Sequence, residues 1–453
     1  MIEFSLSAAA EKLSARHIGP EGCFSAVSTD SRTIAEGDLF VALVGPNFDG
    51  HDYLDLAAER GSSGAMVQRE VMTELPLLQV ENTLVGLGQL AAMWRQRAEA
   101  PLVAITGSNG KTTVKEMLAS ILRCRGEVLA TEGNLNNEIG MPLTLLRLQE
   151  QSYAVVEMGA NHIGEIDYLS RIAQPDVALL INAGRAHLEG FGSLEGVARA
   201  KGEIINGLTD NGCFIFNADD HWAPLWRQMA GERKYRTFGV TQPADVSSPE
   251  EAWDIVWEGS GFFSRFPVST PEGDLEIKLP LAGRHNRMNA LAAITAAQVM
   301  GAELDQIVSG LESLQPVKGR LYPMVGCNGV QLVDDSYNAN PDSVAAAIEV
   351  LVTAPGRRFL VLGELAEMGE GGELFYRELG ELARSSGIEH LYAVGHAVVA
   401  VDAFGEGGCG FSGRDELIEG LLQVLKPEDC VLVKGSRRAG MEQIINRLIV
   451  GID

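Results

Sequence analysis

Short apolar runs alternate with amphipathic stretches from Leu102 to about Asn217, and this is the strongest pattern in the chain. LVAIT, EVLAT, YAVVEMG, VALLINA and CFIFN are nearly continuous apolar runs, as expected of parallel strands covered on both faces. KTTVKEMLASILRC and a segment near 194–208 carry helical spacing between them. In the first hundred residues DLFVAL (38–43), GAMV (64–67) and PLLQV (76–80) predict strands, and YLDLAAERG (53–61) a helix. TLVGLGQLAAMWRQRAEA (83–100) predicts a longer helix, ended by Pro101 because the residue before proline disfavours the α region. A more irregular stretch (239–280) contains the strand-like GFFSRFPV and DLEIKLP, followed by the helix NALAAITAAQVMG (289–301) and a short helix to about Leu314. From Gln315 onward QLVDDSY, RRFLVLGE, HLYAVG and CVLVKGS are strands separated by helical stretches. The elements predict an α/β protein of three domains, over 1–82, 83–314 and 315–453: a small mixed α/β unit, a mainly parallel sheet, and a second α/β sheet.

Composition narrows the function. Asp and Glu number 61 against 36 Lys and Arg, a net charge of −25. Such a surface repels nucleic acid and anionic lipid, so neither is an expected partner, and an anionic ligand must be held by local groups. The six cysteines are scattered with no C-x-x-C, which predicts neither a zinc knuckle nor a disulfide framework and suits a reducing compartment. MIEFSLSAAAEKLSARH lacks the apolar core of a signal peptide, and no apolar run approaches the roughly 20 residues of a membrane span. A cytoplasmic protein without membrane insertion is expected.

The sharpest chemical feature is ITGSNGKTT, between a predicted strand and a predicted helix. Glycines allow backbone N–H groups to converge on phosphate oxygens, and the helix N-terminus adds its dipole. In this loop, Gly107, Ser108, Asn109, Gly110, Lys111, Thr112 and Thr113, Lys111 supplies a full charge and the Thr112 hydroxyl is placed for Mg²⁺. The usual first glycine of G-x-x-x-x-G-K-[ST] falls at Ile105, so the loop glycines here are Gly107 and Gly110. Glu157 ends the strand YAVVEMG, at the edge where ligands sit in open α/β sheets, and can hold Mg²⁺ directly or through water. VALLINA leads to His187 at the same edge, whereas Lys201, on LEGVARAKGEI, reads by spacing as a solvated helix residue. Asn134, Asn136 and Asn137 in TEGNLNNEIG are either turn formers or readers of a polar substrate.

TGSNGKTT, GNLNNEIGMPLTLL, VVEMGA, GRHNRMNALAA, VKGR, DDSYNANPDS and VLVKGSR occur in this order, and together resemble the Mur ligases of bacterial cell-wall synthesis. DDSYNANP and GNLNNEIG resemble most closely the branch that adds D-alanyl-D-alanine, and STDSRTIAEGDLFVAL and FDGHDY resemble the N-terminal domain of that branch and of the diaminopimelate- or lysine-adding one. The D-N-P-R string of the diaminopimelate- or lysine-adding branch is absent. The resemblance implies a domain for the UDP part, a phosphate-loop domain for ATP and a Rossmann-like third domain for the amine. It implies an enzyme that activates the carboxylate of UDP-N-acetylmuramoyl-tripeptide as an acyl phosphate, which the amine of D-Ala-D-Ala attacks; a monomer is expected. Residue by residue it implies two Mg²⁺ ions, held by Thr112 and Glu157 and by Glu157, His187 and Lys201, with Lys201 carbamylated. Asn286, Asn289, Arg320 and Asp335 would contact ATP, with a helix cap as the other reading of Asn289. Thr29, Asp30, Ser31 and Arg32 would meet the uridine diphosphate with Asn134, Asn136 and Asn137, the other reading of the first four being a turn with a surface arginine. Asn338, Asn340, Lys434, Ser436 and Arg437 would face the amine substrate, with ATP as the other reading of Asn338 and Asn340. Where the family commonly has His before Arg377 this chain has Tyr376. Two other readings compete: another ligase of the superfamily, diaminopimelate- or lysine-adding or like folylpolyglutamate synthase, and a phosphate-loop switch. About a hundred residues ahead of the loop disfavour the folylpolyglutamate type, and a switch has no use for the Glu157, His187 and Lys201 set.

Overall fold

In a computed structural model describing residues 2–184, 188–259, 261–365 and 372–450, the apolar runs form the middles of three main sheets. The predicted strands of the central run all form, as β1 (Leu102–Thr106), β2 (Val128–Ala130), β3 (Tyr153–Glu157), β4 (Val177–Leu180) and β5 (Cys213–Asn217). They lie parallel in the order β2-β3-β1-β4-β5, and β6 (Lys234–Gly239) extends them. Every residue of β1 is buried, because helices cover both faces. Beyond β6 the sheet turns antiparallel through Gly261–Thr270, Asp254–Glu258 and Gly273–Leu279. Strand order reverses direction beside β1, so its carboxyl end faces the crevice in which such sheets bind ligands.

Ahead of this sheet a five-stranded one runs Arg16–Ile18, Leu77–Gln79, Gly64–Val67, Leu39–Val41, Val27–Ser28, parallel except for its first pair. The helix Thr83–Arg97 joins the cores: Leu87, Leu90 and Trp94 share one apolar cluster with Phe4 and Phe24 before them and Met141 and Ile166 after them.

The third sheet contains β7 (Gln331–Asp335), β8 (Arg358–Leu362) and β9 (Cys430–Lys434), parallel in the order β7-β9-β8. His390–Val394 and Gly408–Phe411 continue it in parallel, and Tyr322–Val325 adds an antiparallel edge. The central and third sheets are packed together. Phe262 lies in the core of Leu351 and Leu360, and Trp257 Nε1 donates to Thr353 Oγ1 at 3.0 Å.

One boundary differs from expectation. The helix predicted from Asn289 starts at Arg284 and runs to Val299. Its charged first turn hides it from an apolar-spacing reading, because Arg287 is buried by contacts distant in sequence, donating to the carbonyls of Pro249 and Glu250. Asn289 is therefore interior to the helix and is not its cap.

Candidate active site

The loop between β1 and α1 (Lys111–Arg123) turns tightly at Gly110, whose φ of +86° is a left-handed conformation that glycine adopts at little cost. Asn182, just beyond β4, props the loop from the side. Its Oδ1 accepts from Asn109 N at 3.0 Å, its Nδ2 donates to Asn109 O at 3.1 Å, and its carbonyl accepts from Ser108 N. Lys111 Nζ donates back to Gly107 O at 2.6 Å. Burial pulls the Lys111 ammonium below its ordinary pKa, a shift that Glu157 opposes and Arg320 reinforces.

Thr112, one residue into α1, faces the end of β3. Its hydroxyl donates to Glu157 Oε2 at 3.2 Å and accepts from Arg320 Nη2 at 3.0 Å. Glu157 is 1% exposed, and its second oxygen, Oε1, is buried without a hydrogen-bond partner. A buried carboxylate oxygen with free lone pairs beside a hydroxyl suits a hard, oxygen-seeking cation. Among the described residues no group of three His, Cys, Asp or Glu converges, so a Mg²⁺ here would draw its remaining ligands from phosphate or water, as that ion ordinarily does.

Lys201 is far from the solvated residue that its spacing suggests. It is 1% exposed, its ammonium 5.3 Å from the centre of the Phe191 ring. Burial first, and the Lys111 charge second, pull its pKa down to about 7, against the pull of Glu165 and Glu203. The charges of Lys111 and Lys201 therefore act on one another across the fold. His187 lies outside the described residues.

Two further groups come from the third sheet and its approach. Gly319 and Leu321 both have positive φ, +78° and +47°, and the turn they make aims Arg320 at Thr112. Asn340, which caps the helix Pro341–Val352, donates from Nδ2 to Asn109 Oδ1 at 2.8 Å. Asn289 also meets the loop, since a Cβ on Gly110 would lie 2.5 Å from its Oδ1, and its Nδ2 donates to Asn286 Oδ1 at 3.1 Å.

A profile described as the Mur ligase middle domain matches residues 105–297, and one for the Mur ligase glutamate ligase domain matches 319–437. The UDP-N-acetylmuramoyl-tripeptide–D-alanyl-D-alanine ligase of Escherichia coli is 44% identical, over 99% of this chain and 99% of its own length. The chain belongs to the Mur ligase family. The crystal structure of MurF from Acinetobacter baumannii superposes with a TM-score of 0.92 at 36% identity, covering 99% of each chain. MurF from Thermotoga maritima in complex with ADP gives 0.84 at 30%, covering 94% of this chain and 97% of that one.

The other residues singled out from the Mur ligase resemblance fall into separate places. Adjacent strands bring Asp335 and Lys434 into register, and Lys434 Nζ donates to Asp335 Oδ2 at 2.6 Å and to Asn338 O at 3.1 Å. Asp335 Oδ1 accepts from Leu321 N, so both oxygens have partners inside the fold. Burial pushes the Asp335 carboxyl up and the Lys434 ammonium opposes it. Ser436 is buried, whereas Arg437 is exposed, its guanidinium 5.7 Å from the Tyr337 ring whose centre Arg320 also approaches at 4.6 Å. Tyr376 is buried and accepts Leu365 N at 2.8 Å through its hydroxyl, a structural contact.

Among the described residues no hydrogen bond or ion pair joins Thr29, Asp30, Ser31 or Arg32 to the phosphate loop. The Arg32 guanidinium, 82% exposed, donates to Asp30 and holds that carboxyl down to about 2. Asn137 Oδ1 accepts from Gly140 N at 2.9 Å and works as a turn former, while Asn136 O accepts from Gly159 N and ties the loop to the residues after Glu157. Asn134 O accepts from Asn136 N. Sequence reasoning missed Lys115, Thr131 and Tyr337. The signal for Lys115 was present, four residues after Lys111 and hence on the same helix face.

Proposed function

We propose that this chain is an ATP-dependent ligase that joins D-alanyl-D-alanine to the terminal carboxylate of UDP-N-acetylmuramoyl-tripeptide, giving the pentapeptide, ADP and phosphate. The observation that carries the reading is convergence. The phosphate loop, the Thr112–Glu157 pair, Arg320 from the turn into the third sheet and Asn340 from its first helix meet at one point. That is the arrangement needed when a nucleotide on one unit must react with substrates held by others.

A carboxylate is a poor acylating agent. Its oxygen attacks the γ-phosphorus of ATP, ADP leaves, and the acyl phosphate carries a good leaving group. The D-Ala-D-Ala nitrogen then attacks the acyl carbon, phosphate departs, and the nitrogen loses its proton. Backbone N–H groups within Gly107 to Thr113, other than those of Ser108 and Asn109 that Asn182 holds, and Lys111 cradle the phosphates, and Arg320 moves from Thr112 onto them as charge develops. Thr112 and Glu157 would hold one Mg²⁺, and Glu157, His187 and Lys201 a second. Bound there, the ions neutralise phosphate charge. An amine with a pKa near 7 is substantially neutral at physiological pH, which favours capture of CO₂ as a carbamate on Lys201 and turns a cation into an anionic ligand. Asn286 and Asn289 would contact the adenine, and Asp335 the ribose. Asn338, Asn340, Ser436 and the exposed Arg437 flank the amine site, with Lys434 holding Asp335 in place. Thr29, Asp30, Ser31 and Arg32 take the diphosphate, and Asn134, Asn136 and Asn137 lie between. The divisions 1–82, 83–314 and 315–453 then correspond to the UDP, ATP and amine units of a monomer. The described residues contain no helix long and apolar enough to cross a membrane.

The test is phosphate release from ATP with UDP-N-acetylmuramoyl-tripeptide, with and without D-Ala-D-Ala, with the product weighed by mass spectrometry. Sustained release that requires all three, a pentapeptide product, and loss of at least a hundredfold in kcat for Glu157→Gln are expected. Release with a different amine acceptor and none with D-Ala-D-Ala would move the chain to another branch.

A further inference from the structure

Glu157 presents its two oxygens differently. Oε2 receives the Thr112 hydroxyl, whereas Oε1 is buried with no hydrogen bond, and a short carboxylate with one free end can turn unless something fixes it. The group facing Oε1 is Lys115, its Nζ 3.9 Å away and its side chain 4% exposed. That distance is too long for a hydrogen bond, so the ammonium supplies charge beside Oε1 without occupying its lone pairs.

Lys115 is itself held on two sides. Nζ donates to Glu116 Oε1 at 2.5 Å and to the Thr131 carbonyl at 2.7 Å. Thr131 is bound to the strand that carries Glu157: its Oγ1 accepts from Glu157 N at 2.9 Å and its N donates to Val155 O at 3.1 Å. Lys115 and Glu157 are therefore tied twice, by charge across 3.9 Å and by hydrogen bonds through Thr131. The same threonine opens the loop that runs through Asn134, Asn136 and Asn137, so one ammonium joins the phosphate-loop helix, the metal carboxylate and the asparagine loop.

We propose that Lys115 is a positioning residue for Glu157: it holds the carboxylate with Oε1 free to take a divalent cation, and locks the asparagine loop to the helix that bears Lys111 and Thr112. This rests on the reading of Glu157 as a metal ligand. A purely structural lysine, content with Glu116 and Thr131, would affect stability alone. A purely Coulombic one would repel the cation, so its removal would tighten metal binding. Positioning predicts the opposite.

The experiment uses the full chain and Mn²⁺ as the probe, with free Mn²⁺ measured by electron paramagnetic resonance in the presence of ADP. ADP binding without metal is measured by calorimetry, and folding by thermal unfolding. Lys115→Met and Lys115→Gln, the second keeping a donor for Thr131 without the charge, are each expected to weaken Mn²⁺ binding roughly tenfold, the usual loss on removing a group that orients a metal ligand. ADP binding without metal stays within about twofold, because the Lys115 ammonium is spent on Glu116, the Thr131 carbonyl and Glu157, and none of its bonds goes to Gly107–Thr113. Lys115→Arg recovers most of the loss, since a polar cavity of about 380 Å³ lined by Lys115, Thr131 and Arg147 leaves room for it. Should the Met variant not fold, the Gln variant decides. Mn²⁺ affinity within about twofold of the parent, or tighter, in the folded charge-free variants overturns the proposal. Glu157→Gln separates the two readings. If it loses Mn²⁺ while the Lys115 variants do not, only the positioning role fails; if it binds like the parent, Glu157 is no ligand and both fail.

Discussion

Gly110→Ala tests the geometry of the phosphate loop at its tightest point. At φ +86° an alanine loses about 1–2 kcal/mol relative to a right-handed conformation. Its Cβ would sit 2.5 Å from Asn289 Oδ1, 3.2 Å from Cγ and 3.3 Å from Nδ2, so the whole amide must shift. That amide has little freedom: Asn289 is 5% exposed and bonded to Asn286, which donates to Ala282 O at 2.8 Å. Breaking the Asn289–Asn286 bond costs about 1 kcal/mol more. The smaller unfolded-state entropy of alanine returns about 0.4–1 kcal/mol. The expected net loss is about 2 kcal/mol, roughly 4–8 °C in Tm for a unit of this size, with weaker ADP binding because the loop amides move with residue 110. The design separates the two causes by making the same change in an Asn289→Ala background. There the contact is gone and only the backbone cost remains, so Gly110→Ala should cost about 1 kcal/mol less than in the parent. Equal costs in the two backgrounds would refute the contact, and a single mutant within 1 °C of the parent would refute the backbone argument as well.

Two further outcomes follow from buried charge. His285, whose Nδ1 is buried without a hydrogen bond, has its pKa pulled down to about 4 by burial and secondarily by Lys434. The unfolded chain binds this proton near pH 6.5 and the folded chain only near 4, so stability falls as pH falls through that window, by at most about 3 kcal/mol. Urea titrations from pH 7 to 4 should therefore give a shallower fall for His285→Gln, and parallel curves would count against it. Asp429, its side chain fully buried, receives Arg357 Nε at 2.9 Å and Nη2 at 2.7 Å. Arg357→Met should lose about 3 kcal/mol in thermal unfolding, with part recovered by adding Asp429→Asn, because the main cost is an unpaired buried carboxylate. An unchanged Tm would rule that out.

The parts legible in the sequence are those whose signal is local. Uninterrupted apolar runs had to become covered parallel strands, and a glycine-rich loop between strand and helix had one place to go, the carboxyl end of β1. The antiparallel edge Tyr322–Val325 was not legible, because four residues of mixed exposure make no pattern. Lys201 was misread by spacing alone for a related reason. Its burial comes from tertiary packing, with its ammonium beside the Phe191 ring, which helical periodicity within LEGVARAKGEI does not encode. Lys115 shows the limit most clearly. Sequence places it on the face of Lys111, but its meaning depends on Thr131 and Glu157, which only the β2-β3-β1 strand order brings beside it.

The contacts of Arg320 suggest why the reaction requires more than a phosphate loop. Thr112 meets Arg320, Arg320 lies over Tyr337, and Arg437 lies over the same ring. The nucleotide loop is thus connected by three consecutive contacts to the exposed arginine proposed to receive the incoming dipeptide. Removing the third sheet would leave the loop intact but strip it of Arg320 and of the Asn340–Asn109 bond. An acyl phosphate formed on such a site would face water, with no amine held near it. On the proposed roles, with Arg320 neutralising phosphate and the third sheet's unit holding the amine, activation would be strongest when that unit is docked. The order of events on that proposal would follow from where Arg320 is attached: the reactive anhydride would be generated best in the arrangement in which its acceptor stands beside it and solvent is excluded.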